Sequence, residues 1–400
     1  MRDPNDANSK EYEYDLPEHV IILNDWLHTS IISKYTSFLH TYGDEEINSI
    51  LINGRGVDVT SDEITKKPLL DYETPRSTFM VTQGKRYRFR IINSGVQYCP
   101  LHVSIDNHNL TLIALDGNPL TPIEVGSFYI IPGERVDFVI FANQQIDNYW
   151  IRVKGIFYFF FFYLIALPLT IFYKFILKIK GNADCSGTSM YQTAILKYRD
   201  SSSGLPKLEV NYENADPINP NNLIFNPFNQ NIDETNKNQF LTVGDVRSSK
   251  IDSLSSSLSN KLSGKVDKKF YLSLDMNLVK NSAVYDNETW SDLKNDEKPW
   301  TSPQINNITF HIPPVPLIYQ KQRLTDSIFC NYSSRFQDSC SKNDSEFCRC
   351  VHTLNINLND VVEVIVVDGG SQSENHPIHV YIKAIYLYSL FFFYIYFFCH

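Results

Sequence analysis

The sequence predicts an all-β protein built as two β-sandwiches with an irregular linker between them. Three observations carry that prediction. The apolar runs are short, their residues alternate with a period of two, and turn residues separate them at the spacing of a sandwich.

The first region covers residues 1–199. Strands are expected at EHVIILND (18–25), RYRFRII (86–92), NLTLIAL (109–115), SFYII (127–131) and RVDFVIF (135–141). In RYRFRII, Tyr87, Phe89 and Ile91 share one face while Arg88 and Arg90 share the other. That is the period of a half-buried antiparallel strand. Asp116-Gly117-Asn118-Pro119 and Pro132-Gly133-Glu134 supply turns, and YWIRV (149–153) and TAILKY (193–198) supply two further strands.

Residues 200–265 are a different material. RDSSSGLPK, NPNN and SSKIDSLSSSLSNKLSGK lack sustained periodicity and read as linker. Strands resume over 266–380, at KKFYLSLDM (268–276), NNITFHI (306–312), LNINL (354–358) and VVEVIVVD (361–368). LNINL is expected to turn Leu354, Ile356 and Leu358 inward. VVEVIVVD is nearly all β-branched and reads as a strand buried on both faces.

Two segments stand apart. Residues 156–180 (IFYFFFFYLIALPLTIFYKFILKIK) are Phe, Tyr, Ile, Leu or Lys at 22 of 25 positions, and 381–400 form an apolar tail with the same vocabulary. Taken alone, each suits a transmembrane helix, since about 20 apolar residues span a bilayer core. The first, however, interrupts a sandwich whose strands must pair on one side of a membrane. These residue types are also what A/T-rich codons encode, so translated intron is the favoured reading, with a membrane span and a buried helix as alternatives. Lys-Gly stands at 154–155 and again at 180–181; keeping one copy leaves the smooth run YWIRVKGNADC.

The composition is globular, and a formal net charge of −9 argues against a nucleic-acid partner, which would need basic patches. Cys330, Cys340, Cys348 and Cys350 fall within 21 residues. That density suits disulfides of an oxidising compartment, whose pairing spacing cannot choose. Zinc is the rival, but only His352 lies near and Cys348-x-Cys350 is tight for it. N-x-S/T sequons at Asn109, Asn287, Asn307, Asn331 and Asn343 are glycosylation candidates and point the same way, to an extracellular protein. The opening MRDPNDANSKEYEY is not a signal peptide, so a missing leader is expected.

One constellation suits metal chemistry. His376-Pro377-Ile378-His379 follows a strand and the Gly369-Gly370 turn, and two imidazoles from one loop can chelate copper. The pair alone is weak, because a solvent-exposed pair has the same spacing. His19, His28, His40, His102, His108, His311 and His352 have no partner spacing and read as structural. Cys99 and Cys185 read as bridged or buried thiols.

Longer motifs give that pair a context. DLPEHVIILNDWLH (15–28), ILINGRG (50–56), YRFRIINSG (87–95), LTLIALDGNPLTPIEVGSFYIIPGERVDFVIFAN (110–143) and YWIRVKG (149–155) resemble the middle domain of the multicopper oxidases, in particular insect-type laccases. FHIPPVPL (310–317), the cysteine cluster, VHTLNINLNDVVEVIVVD (351–368) and NHPIHV (375–380) resemble the last domain. The resemblance implies tandem cupredoxin-like (plastocyanin-like) Greek-key sandwiches, a middle one in 1–199 and part of a C-terminal one in 266–380.

It also implies four copper ions, and oxidation of diphenols or similar reductants coupled to reduction of dioxygen to water. His376 and His379 match the first two positions of the family's H-P-x-H-x-H motif, ligands of the type 1 and type 2 coppers; Tyr381 stands at the third. No H-x-H pair occurs, and Cys399-His400 is the only trace of the family's H-C-H motif. No copper site is therefore complete, and the chain is expected to be a truncated, inactive form. The competing reading is a non-enzymatic, membrane-tethered cupredoxin-like protein for binding or adhesion. Genomic sequence flanking the two apolar segments would separate the readings.

Overall fold

The computed structural model describes residues 5–27, 30, 32, 49–57, 74–96, 100–155, 190–249, 265–279, 300–330 and 348–368. Positions 203, 213, 220, 228–231, 233, 358 and 359 are excepted. These residues fall into two compact units, one within 1–30 and 45–254, the other within 31–44 and 255–373.

The first unit is a β-sandwich. Its strands are β1 (Tyr14–Trp26), β2 (Ser49–Ile52), β3 (Thr78–Val81), β4 (Arg86–Asn93), β5 (Leu101–Ile105), β6 (Leu110–Leu115), β7 (Asn118–Val125), β8 (Ser127–Ile130), β9 (Arg135–Phe141), β10 (Asn148–Gly155), β11 (Tyr191–Tyr198), β12 (Ile224–Phe225) and β13 (Phe240–Leu241). One sheet has the order β2-β1-β4-β9-β6-β7 and the other β13-β12-β8-β5-β10-β11-β3. Between β2 and β10 the chain changes sheet at every step except β6–β7, the connectivity of a Greek-key sandwich.

Alternation in the sequence becomes the two faces of each sheet. In β4, Tyr87, Phe89 and Ile91 are buried and the arginines between them are half-buried. Phe89 stacks on Phe138 with centroids 5.6 Å apart, and Phe138 meets Phe128 of the other sheet at 5.7 Å. β4 is not purely antiparallel: it pairs antiparallel with β9 and parallel with β1. The parallel neighbour comes from a crossover that single-strand periodicity does not encode. On the outer side Arg88 pairs with Asp6 and Asp137, and Arg90 with Asp15, so guanidinium groups half removed from water keep carboxylate partners.

Residues 200–249, expected as linker, are attached to this sandwich. β12 pairs with β8, and β13 extends the same sheet. Trp150 Nε1 donates to Leu208 O, Arg152 Nη1 to Asn214 O at 2.7 Å, and Tyr212 Oη to Gly155 O at 3.2 Å. The segment shows no period because it is held by side-chain bonds and two-residue bridges, not by one buried face.

The second unit contributes β14 (Lys268–Val279), β15 (Trp300–Ile305), β16 (Ile308–Phe310), a short helix α1 (Leu317–Gln320), β17 (Phe329–Cys330), β18 (Cys348–His352) and β19 (Val362–Asp368). Its strands form one sheet of order β17-β18-β16-β15-β14-β19. Two expectations are corrected here. LNINL is not a strand: its described residues lie outside any element, with Leu354 and Ile356 exposed. VVEVIVVD is a strand, but an edge one, paired only with β14 among the described residues. Only Val366 of β19 is buried there, because an edge strand has a neighbour on one side alone.

The apolar segments 156–180 and 381–400 lie outside the described residues. Among the described residues, no helix is long and apolar enough to cross a membrane.

Candidate functional site

Copper chemistry needs imidazoles with a free ring nitrogen, or a thiolate. The described histidines of the first unit, His19, His102 and His108, are buried and hydrogen-bonded through at least one ring nitrogen each. His108 Nδ1 lies 2.7 Å from Asp106 O, a pure acceptor, so Nδ1 carries the proton. Nε2 then accepts from Tyr198 Oη at 2.8 Å, and that oxygen accepts from Gln144 N. Both ring nitrogens are used. His102 Nε2 is 2.8 Å from Ser127 Oγ, and its ring stacks on Tyr129 with centroids 4.3 Å apart. Burial holds each imidazole neutral, with its pKa lowered to about 4. His19 is fully buried against Phe89, with Nε2 on Met80 O and Nδ1 unbonded.

These positions are those of structural side chains. Among the described residues no three His, Cys, Asp or Glu side chains converge as a metal site. The described residues therefore do not fit a copper ion. His376 and His379, the expected ligand pair, lie outside them, as do His28 and His40.

The cysteine cluster is better defined. Cys330 of β17 and Cys350 of β18 are buried and bridged, with Cα atoms 6.0 Å apart. They lie on neighbouring parallel strands, with Cys330 opposite His352 and so two residues off Cys350. Cys348 is disulfide-bonded as well. Cys340 lies outside the described residues, as do Asn287, Asn331 and Asn343. Asn109 and Asn307 are described. Asn109 is half-buried and Asn307 exposed.

Sequence reasoning missed the most deeply buried ion pair. Arg152, 1% exposed, points from β10 to Asp106 beyond β5, with Nη2 2.9 Å from Oδ2. Burial raises the Asp106 carboxyl, against the pull of Arg152. An arginine within an apolar strand is the one signal that YWIRV carries.

A multicopper oxidase family model matches residues 17–163. That match covers less than half of the chain, so it is over residues 17–163 that the chain is similar to the multicopper oxidases. Laccase-3 of Thanatephorus cucumeris is 38% identical over 150 residues, which are 38% of this chain and 25% of that protein. A laccase of Trametes maxima is 37% identical over 152 residues, 38% of this chain and 27% of its own length. A laccase structure from Botrytis aclada aligns at 19% identity with a TM-score of 0.46, covering 80% of this chain and 46% of that one. The chain thus spans about a quarter of the length of the curated relatives it matches. These laccases are fungal, so they carry the family and not the insect subgroup. Copper is the cofactor of the multicopper oxidases, and the described residues within the matched range form strands and turns of the first sandwich.

Proposed function

We propose that this chain supplies the middle and most of the last cupredoxin domain of a laccase-like oxidase. That oxidase removes single electrons from diphenols or similar reductants and reduces dioxygen to water. The observation that carries the reading is the laccase-like stretch of about 150 residues folded as a Greek-key sandwich. In this reading His376 and His379 are copper ligands, and copper, when bound, supplies the one-electron chemistry. The disulfide and the sequons support an extracellular setting.

One hydrogen bond weighs against the first anchor of the membrane-tethered reading. Gly155 N donates to Met190 O at 2.6 Å, and Lys154 pairs with Tyr191. A single crossing between them would set these residues on opposite sides of a core about 30 Å thick.

The test is a copper titration and a diphenol-oxidation assay on two proteins. Alone, the 400-residue chain should bind Cu(II) weakly, lose it in His376→Ala and His379→Ala, and show neither blue type 1 absorption nor oxidase activity. Without residues 156–181, and joined to the first domain and H-C-H segment of an intact relative, it should gain both. Oxidase activity in the chain alone, or none in a folded joined protein, would sink the proposal.

A further inference from the structure

The five sequons share the N-x-S/T pattern, yet the two described ones, both N-x-T, stand in opposite environments. Asn307 and Asn306 form the two-residue turn between β15 and β16, with Ile305 paired to Ile308. Both adopt positive φ, 55° at Asn306 and 61° at Asn307, as a type I′ turn demands and as asparagine tolerates better than most residues. Asn307 is exposed. Its Oδ1 accepts from Asn277 Nδ2 at 3.3 Å, which fixes the amide and leaves Nδ2 without a bond among the described residues.

Asn109 precedes β6 and is half-buried. Its Nδ2 donates to Glu124 Oε1 at 2.9 Å, and its Oδ1 is sealed from water with no partner. The backbone on either side is tied to the attached segment, Asn107 N donating to Ile218 O at 3.0 Å and Gly126 N to Leu223 O at 2.9 Å. A sugar on Nδ2 would have to leave between Glu124 and that segment.

We infer that Asn307 is an N-glycan acceptor and that Asn109, with the same N-x-T sequence, is not. The donor is a lipid-pyrophosphate-linked oligosaccharide. A bond forms between Asn307 Nδ2 and the sugar C1, the C1–oxygen bond to the pyrophosphate breaks, and Nδ2 gives up one proton. Transfer acts on the emerging chain, and a chain that carried a glycan on Asn109 could not close that amide against Glu124 and the attached segment, so the folded, secreted protein is the form without it. The inference rests on the extracellular reading only for whether the natural chain meets the transferase, and the test removes that dependence.

The full chain would be expressed behind an added secretory leader in a eukaryotic host. Glycans would be removed enzymatically in heavy-oxygen water and the converted asparagines mapped by mass spectrometry. Heavy label at position 307 and none at 109 is the expected result. Label at Asn109, or its absence from Asn307, overturns the inference. On denaturing gels, which do not depend on folding, Thr309→Ala should remove one glycan step and Thr111→Ala none; the reverse pattern also overturns it.

Discussion

At the scale of single residues, the buried histidines make the first sandwich sensitive to acid. His102 and His108 are held near pKa 4 against an ordinary 6.5, by burial. The folded chain keeps them neutral where the unfolded chain takes up protons. Their contribution is thus complete above about pH 6.5 and is lost as pH falls toward 4, by on the order of 3 kcal/mol per imidazole. Glu134 opposes this. Burial raises its carboxyl from 4.5 to about 7, so its contribution is lost as pH rises through the same window. Glu134→Gln should therefore isolate the histidines, and its urea midpoint should fall steadily from pH 7 to pH 4. A flat midpoint over that range would contradict the assignment. The Arg152–Asp106 pair yields a second expectation. Asp106→Ala strands a guanidinium that is 1% exposed and should cost about 3–5 kcal/mol in urea unfolding. The double variant Asp106→Leu/Arg152→Met should recover part of that loss, because no buried charge is left unpaired. Equal loss in both would show that packing, not charge, sets the cost.

At the scale of elements, β10 and β11 form a hairpin in full register from Asn148–Lys197 to Lys154–Tyr191. Gly155 and Met190, the described residues that flank 156–189, are joined by a hydrogen bond. Removing 156–181 leaves eight residues, 182–189, to close that hairpin, a length within the ordinary range of connections. The shortened chain should keep the urea midpoint of the first unit and gain solubility, since a long apolar stretch is removed from the sequence. Loss of cooperative unfolding in that variant would show that the segment is part of the fold. Strict alternation makes an element legible in the sequence itself, as β4 and β9 show. LNINL is the exception, although its alternation is equally clean. Period two reports only which residues share a face, and here no neighbour in the described sheet covers that face. VVEVIVVD fails in a related way: β-branched composition favours a strand but does not say whether it lies at a sheet's centre or edge.

At the scale of the whole molecule, the proposed oxidase function and the described structure meet in the sandwich rather than at a metal centre. The first unit has a continuous core drawn from both sheets, from Ile21, Phe89 and Phe138 on one side to Val103, Phe128 and Leu196 on the other. The described part of the second unit has a far smaller core, around Ile308, Cys330 and Cys350, and the bridge there shortens the loop its unfolded chain must close. By itself the sequence determined the all-β class and most strands of the first sandwich. Both are written in local spacing. Only the tertiary structure decided that residues 200–249 attach to the first sandwich and that β1 and β4 run parallel. It also decided that Arg152 meets Asp106, that His108 spends both nitrogens on structure, and that Asn109 and Asn307 differ. Those facts depend on which distant segments become neighbours, and a pattern along one chain carries no information about what lies across from it.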